Sequence, residues 1–262
     1  MRVLPVLMLM LLLMGCTSPK APVSTEAAVS LPALTEEPEA AWGVEILAGE
    51  DAVKIQPWDY GFTPETREEL QSAQISLLQS CLDRYPAGML EALSRDCGGL
   101  TICLVREIYG KEDKSGVQHP VGLQFRDPQG GTYIILTQDL EYTLYHELFH
   151  VMEDFAVLRT DVWEDWNSLN PPDFSYDLDF EQNALRGDSP YLQDGSRYFI
   201  DTYSMSFPRE DRARIMEYAM TEGNAHLFKD PPMQEKLSLL SLGIRQAFGL
   251  RSEDLPWEQY LK

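Results

Sequence analysis

Basic residues are scarce in this chain. Lysine and arginine number 21 against 42 aspartates and glutamates in 262 residues, a formal net charge of −21. Neutralising a phosphate backbone takes clustered Lys and Arg, so this balance argues against a nucleic-acid partner. It argues equally against electrostatic adhesion to an anionic bilayer. Cysteine is limited to four residues with no Cys-x-x-Cys, which disfavours a thiolate zinc site. Histidine is also limited to four, so any imidazole chemistry has few residues to draw on. There is no internal repeat. The opening apolar run, Val3 to Met14, falls short of the roughly 20 residues that a membrane-spanning helix needs.

That run follows Arg2 and leads into Leu13-Met14-Gly15-Cys16, the layout of a bacterial signal peptide ending at a lipobox. The pattern implies cleavage before Cys16 and lipid chains on the new N-terminal cysteine. From Thr17 to about Glu39 the chain is rich in Pro, Ala, Ser, Thr and Glu without amphipathic periodicity. Such a segment cannot bury enough apolar surface to offset its ordering entropy, and reads as a tether. The expected organisation is a signal peptide over 1–15, a flexible tether over 16–42 and one folded domain over 43–262. The lipid would hold that domain outside the cytoplasm, on the bacterial cell membrane or outer membrane. With Cys16 consumed, Cys81, Cys97 and Cys103 permit at most one bridge. Cys97 and Cys103, separated by a segment containing Gly98-Gly99, could form it, whereas a reducing habitat would leave all three free.

Within the domain, Thr63 to Leu82 predicts an amphipathic helix with Thr63 as cap and Pro64 at its first position. A short helix over Ala87 to Leu93 follows. Strands are predicted over Leu100 to Val105, Val121 to Phe125 and Thr132 to Leu136, the last two joined by an Asp127-Pro128-Gln129-Gly130-Gly131 turn. Leu140, Leu144, Leu148, Val151 and Phe155 then recur at helical spacing. A loop-rich segment from about Asn167 to Asp201 precedes two closing helices, near Arg209 to Ala219 and Met233 to Phe248.

The chemistry concentrates at His146-Glu147-Leu148-Phe149-His150. Residues four apart share a helix face, so His146 and His150 can offer two nitrogens to one metal ion, while Glu147 reaches the water bound to it. A catalytic zinc site takes a third protein ligand and leaves one position open. Glu153 and Ala156 occupy the positions where the extended HExxHxxGxxH pattern needs Gly and His, so the third ligand must come from elsewhere. His119 and His226 are conceivable but poorly set, one before a proline and one after a Gly-Asn break. Glu210 is better placed, because Pro208 and Arg209 open a helix whose first turn carries it, with Tyr203 seven residues earlier. Asp211 is the neighbouring alternative.

These residues resemble the lethal-factor-like zincins and the zinc-binding metallopeptidase lipoproteins of bacteria, in which HExxH is followed several tens of residues later by a Tyr and then a Glu opening a helix. The likeness runs from about Tyr133 to Tyr218. It includes Trp166-Asn167-Ser168-Leu169-Asn170-Pro171 and Phe174-Ser175-Tyr176, similar to a W-x-x-L-N-P-x-x-F-x-Y stretch. It implies His146, His150 and Glu210 as zinc ligands, Glu147 as general base and Tyr203 as a phenol donor. Arg214 departs from the pattern, standing where Glu is common. If that Glu orients a ligating histidine, its role must pass to another residue here.

The expected fold is one α+β zincin-like domain with a small mixed sheet, and a sheet edge beside the motif helix suited to an extended peptide. The expected activity is zinc-dependent hydrolysis of peptide bonds in a peptide or protein substrate. The alternative is a surface lipoprotein that keeps zinc for binding or sensing without catalysis.

Overall fold

One long strand organises the molecule. The computed structural model describes residues 42–111, 120–177, 189–251 and 254–261; residues 1–41, with the expected signal peptide and Cys16, and His119 lie outside them. Strand β3 (Leu100–Gly110) pairs in parallel with β1 (Val44–Ala48) on one side and with β5 (Thr132–Leu136) on the other. Antiparallel to β5 lies β4 (Gly122–Arg126), an edge strand, and β2 (Tyr60–Pro64) runs antiparallel to the far half of β3. The result is a five-stranded mixed sheet.

Leu100 to Val105 are all buried because both faces of β3 are covered. Leu100, Ile102 and Leu104 join the main core with the helices, while Cys103, Val105 and Ile108 pack with Phe62 and Ala52 in a second cluster on the other face. This division accounts for the cysteines. Cys97 belongs to the first cluster and Cys103 to the second, and Cys81, Cys97 and Cys103 are all free and buried, so the bridge considered from spacing does not form.

The first helix begins later than the sequence suggests. Thr63 and Pro64 end β2, and α1 runs over Glu68–Leu82. Glu65 intervenes: its Oε1 accepts from the backbone N–H groups of Thr66 and Arg67, each at 3.0 Å, and its carboxylate pairs with the Arg67 guanidinium. A side-chain oxygen that satisfies these donors turns the chain before the helix can start. Helix α2 occupies Met89–Asp96, after Gly88 in the left-handed region (φ 76°).

Helix α3 (Leu140–Ala156) carries the histidine motif and is buried on nearly every side. It packs against β4 and β5 and against α1, α4 (Pro208–Met220) and α5 (Pro231–Phe248). Both α4 and α5 have proline in their first turn, where the missing N–H costs no hydrogen bond. The fold is α+β, a single domain with a small mixed sheet and the motif on a central helix, as expected.

Candidate metal centre

One turn of α3 separates His146 from His150, and their rings meet edge to face with Nε2 atoms 3.2 Å apart. From the first turn of α4, Glu210 Oε2 comes within 3.1 Å of His146 Nε2 and 3.5 Å of His150 Nε2. Tetrahedral donors about 2.0–2.1 Å from a zinc ion would be separated by roughly 3.3–3.4 Å. These three distances therefore match one face of such a tetrahedron. Among the described residues, His146, His150 and Glu210 form a group that could hold a metal ion.

The surrounding side chains fit the same role. Glu217 Oε2 lies 3.0 Å from His146 Nδ1, and Arg214 pairs with both Glu217 and Asp201 and donates to the Tyr218 hydroxyl. Glu217 thus takes the orienting position opened by Arg214, with Arg214 holding it in place. Beside His150, Arg209 Nε approaches Nδ1 at 3.0 Å. Glu153 Oε2 lies 3.9 Å from the same nitrogen, buried and without a hydrogen-bond partner. Arg209 Nε–H donates to Nδ1 here; a metal on Nε2 would leave the ring's proton on Nδ1, so Arg209 must turn away for this orphan carboxylate oxygen to accept it.

Electrostatics follow from this crowding. Burial disfavours a charged His146 ring, yet hydrogen bonds to Glu210 and Glu217 raise its pKa to about 10. His150 is raised too, with burial again opposed by Glu153 and Glu210. For Glu210, burial pulls upward, but the two imidazoles hold the carboxyl far below its usual range. A cluster this rich in acceptor charge favours a cation at its centre.

Glu147 faces a pocket of about 710 Å³ that also exposes His146, Tyr203, Tyr142 and Arg214. Burial pushes its carboxyl up, against the pull of His146 and His150. The first residue of β4 lies directly against it: a Cβ at Gly122 would fall 2.6 Å from Glu147 Oε1 and 2.5 Å from Thr143 Cγ2. Glycine is what lets the sheet edge approach the carboxylate so closely. The Tyr203 ring stands 6.0 Å from that of His146, centroid to centroid. Burial and the Glu210 and Glu147 carboxylates push the Tyr203 phenol far up, so it keeps its proton.

The structure brings His146, Glu147, His150, Tyr203 and Glu210 to one place, while Cys16, the expected lipidation site, lies outside the described residues. Asp211 is directed elsewhere, into the core: its Oδ2 accepts from Trp166 Nε1 at 3.0 Å, the Tyr176 hydroxyl at 2.8 Å and Lys236 Nζ at 2.7 Å. This explains the Trp166 to Tyr176 motif, whose two aromatic donors lock the residue next to Glu210. His226 is exposed beyond α4, outside the cluster. Glu217, Glu153 and Gly122 were not anticipated. Glu217 had a signal, seven residues or two turns after Glu210 on the same helix face; Gly122 had none.

No protein-family model matches the chain, and no curated protein does. Its fold is similar to that of a candidate zinc-binding metallo-peptidase from Bacteroides caccae, seen in a crystal structure, at a TM-score of 0.53 and 15% identity over 82% of this chain and 83% of that one. At that identity the likeness shows a shared fold alone.

Proposed function

We propose that this chain is a zinc-dependent peptidase that acts outside the cytoplasm, anchored to a membrane by lipid on Cys16. The observation that carries the reading is the convergence of three donors with tetrahedral spacing beside a half-buried carboxylate, on a fold similar to that of a candidate metallo-peptidase. His146, His150 and Glu210 would hold the ion. When bound, zinc lowers the pKa of a water towards about 7 and polarises the carbonyl under attack.

The chain's own groups supply the rest. Glu147 removes the proton of the attacking water and delivers it to the departing amine nitrogen. Tyr203, a protonated phenol, donates a hydrogen bond to the carbonyl oxygen as negative charge develops there. Glu217, held by Arg214, fixes the His146 ring. The outer edge of β4 has no strand partner among the described residues and can pair with an extended peptide.

Glu147→Gln tests the proposal against the reading of a noncatalytic zinc-binding lipoprotein. The variant is expected to keep zinc and lose on the order of 10²–10⁴-fold in turnover of casein or library peptides. Equal cleavage by both proteins, or none by either while zinc stays bound, would favour the binding or sensing role.

A further inference from the structure

A second cleft, of about 910 Å³, opens near the far end of β4. Trp58, Pro57, Phe125, Arg126 and Pro128 line it. The Trp58 side chain projects into solvent, 88% exposed, while Trp163, Trp166 and Trp257 are buried. Phe125 forms a rigid floor, stacked on Tyr133 with centroids 5.3 Å apart and tilted against Phe62 at 6.5 Å. Two polar side chains in the cleft are already committed. Lys111 Nζ donates to the Pro57 carbonyl, and Asp127 Oδ1 accepts from the N–H groups of Gln129 and Gly131. Asp59 and Arg126 also line the cleft, and the two aromatic rings supply its apolar recognition surface.

One strand joins this cleft to the metal centre. Gly122 lines the pocket at Glu147, and Phe125 and Arg126 line the cleft at Trp58. At about 3.3 Å per residue the two ends of β4 are roughly 13 Å apart. A peptide paired with the outer edge of β4 advances at the same rate, with side chains alternating between the sheet's two faces. Leu123 and Phe125 pack on the face away from α3, whereas Gly122 faces Thr143 and Glu147 of α3.

We propose that the Trp58–Phe125 cleft is a remote subsite for an extended peptide substrate, taking an apolar or aromatic side chain about three residues from the scissile bond. The inference rests on the peptidase reading and names the class of substrate it acts on. Binding energy gained this far from the reacting bond can position that bond, so occupancy of the cleft raises kcat/KM on peptides long enough to reach it.

The test uses two peptides with the same scissile bond: a short one that ends before the cleft, and a long one carrying Phe at the distance β4 sets. Trp58→Ala is expected to lower kcat/KM on the long peptide about tenfold, leave the short peptide unchanged, and leave the melting temperature unchanged because the ring is exposed. Trp58→Phe, which keeps an aromatic surface, is expected to restore most of the loss. If Trp58→Ala cleaves the long peptide as well as wild type, or slows both peptides equally, the subsite is refuted while peptidase activity stands. If wild type cleaves neither, the peptidase reading fails and the subsite falls with it.

Discussion

Replacing Gly122 by alanine should disable the proposed catalysis without touching a proposed metal ligand. The new methyl carbon would sit 2.6 Å from Glu147 Oε1 and 2.9 Å from its Cγ, where ordinary contact begins near 3.4 Å. The carboxylate must retreat by about 0.8 Å, since the methyl is fixed to a paired strand. Thr143 cannot easily give way, because its hydroxyl bonds to the Gln138 carbonyl at 3.0 Å. A displacement approaching 1 Å at a reacting group costs up to about 100-fold in rate, equivalent to roughly 2.7 kcal/mol in the barrier. The stability cost of one overpacked methyl is of similar size, about 1–3 kcal/mol. The assay combines kcat/KM on a cleaved peptide with zinc content and melting temperature. The expected outcome is a rate loss of about 100-fold with zinc retained. Wild-type turnover would refute the placement of Glu147 against β4 or its role as base. Loss of zinc together with turnover would show that the damage runs through the ligands instead.

Glu217→Gln should weaken zinc affinity about 10- to 100-fold in a chelator competition, because it weakens the acceptor at His146 Nδ1; unchanged affinity would contradict the orienting role. Lys236→Met leaves the buried Asp211 without its cation, since both side chains of that pair are fully buried. A broken buried pair costs about 3–5 kcal/mol, so the melting temperature should fall by on the order of 10 °C, and a shift of only a degree or two would refute the reasoning. Glu65 links stability to acid: hydrogen bonds and charge from Arg67 hold its carboxyl at about 2 in the folded chain, against an ordinary 4.5. A folded value below the unfolded one contributes stability that is full above about pH 4.5 and lost as the pH falls towards 2. Glu65→Gln should therefore lower the melting temperature at neutral pH and flatten its decline across that acid window, and an unchanged decline would contradict the assignment.

Much of the frame was legible because it rests on local rules. A short run of β-branched and aromatic residues marks Thr132–Leu136, and the histidine spacing marks one face of α3. Pro208 and Pro231 mark the starts of α4 and α5. What escaped depends on partners distant in sequence. Val44–Ala48 is a strand because Leu100–Leu104 runs alongside it. Pro64 is the end of a strand rather than the start of a helix because Val105 pairs with it and Glu65 turns the chain afterwards. Within the site, the ligands follow helix periodicity and a recognisable motif. Glu153 stands three residues after His150 on α3, a local spacing, and is buried where Arg212 of α4 pairs with it; Gly122 acquires its role only when β4 closes on α3, and no local pattern records that approach.

Metal analysis of the purified full-length protein beside its His146→Ala, His150→Ala and Glu210→Ala variants tests the central claim most directly. The account predicts zinc bound in a one-to-one ratio by wild type, with stoichiometric retention lost in each variant, while circular dichroism shows the fold intact. Wild-type protein that takes up no zinc, or a Glu210→Ala variant that holds it as tightly as wild type, would contradict the assignment of these three donors.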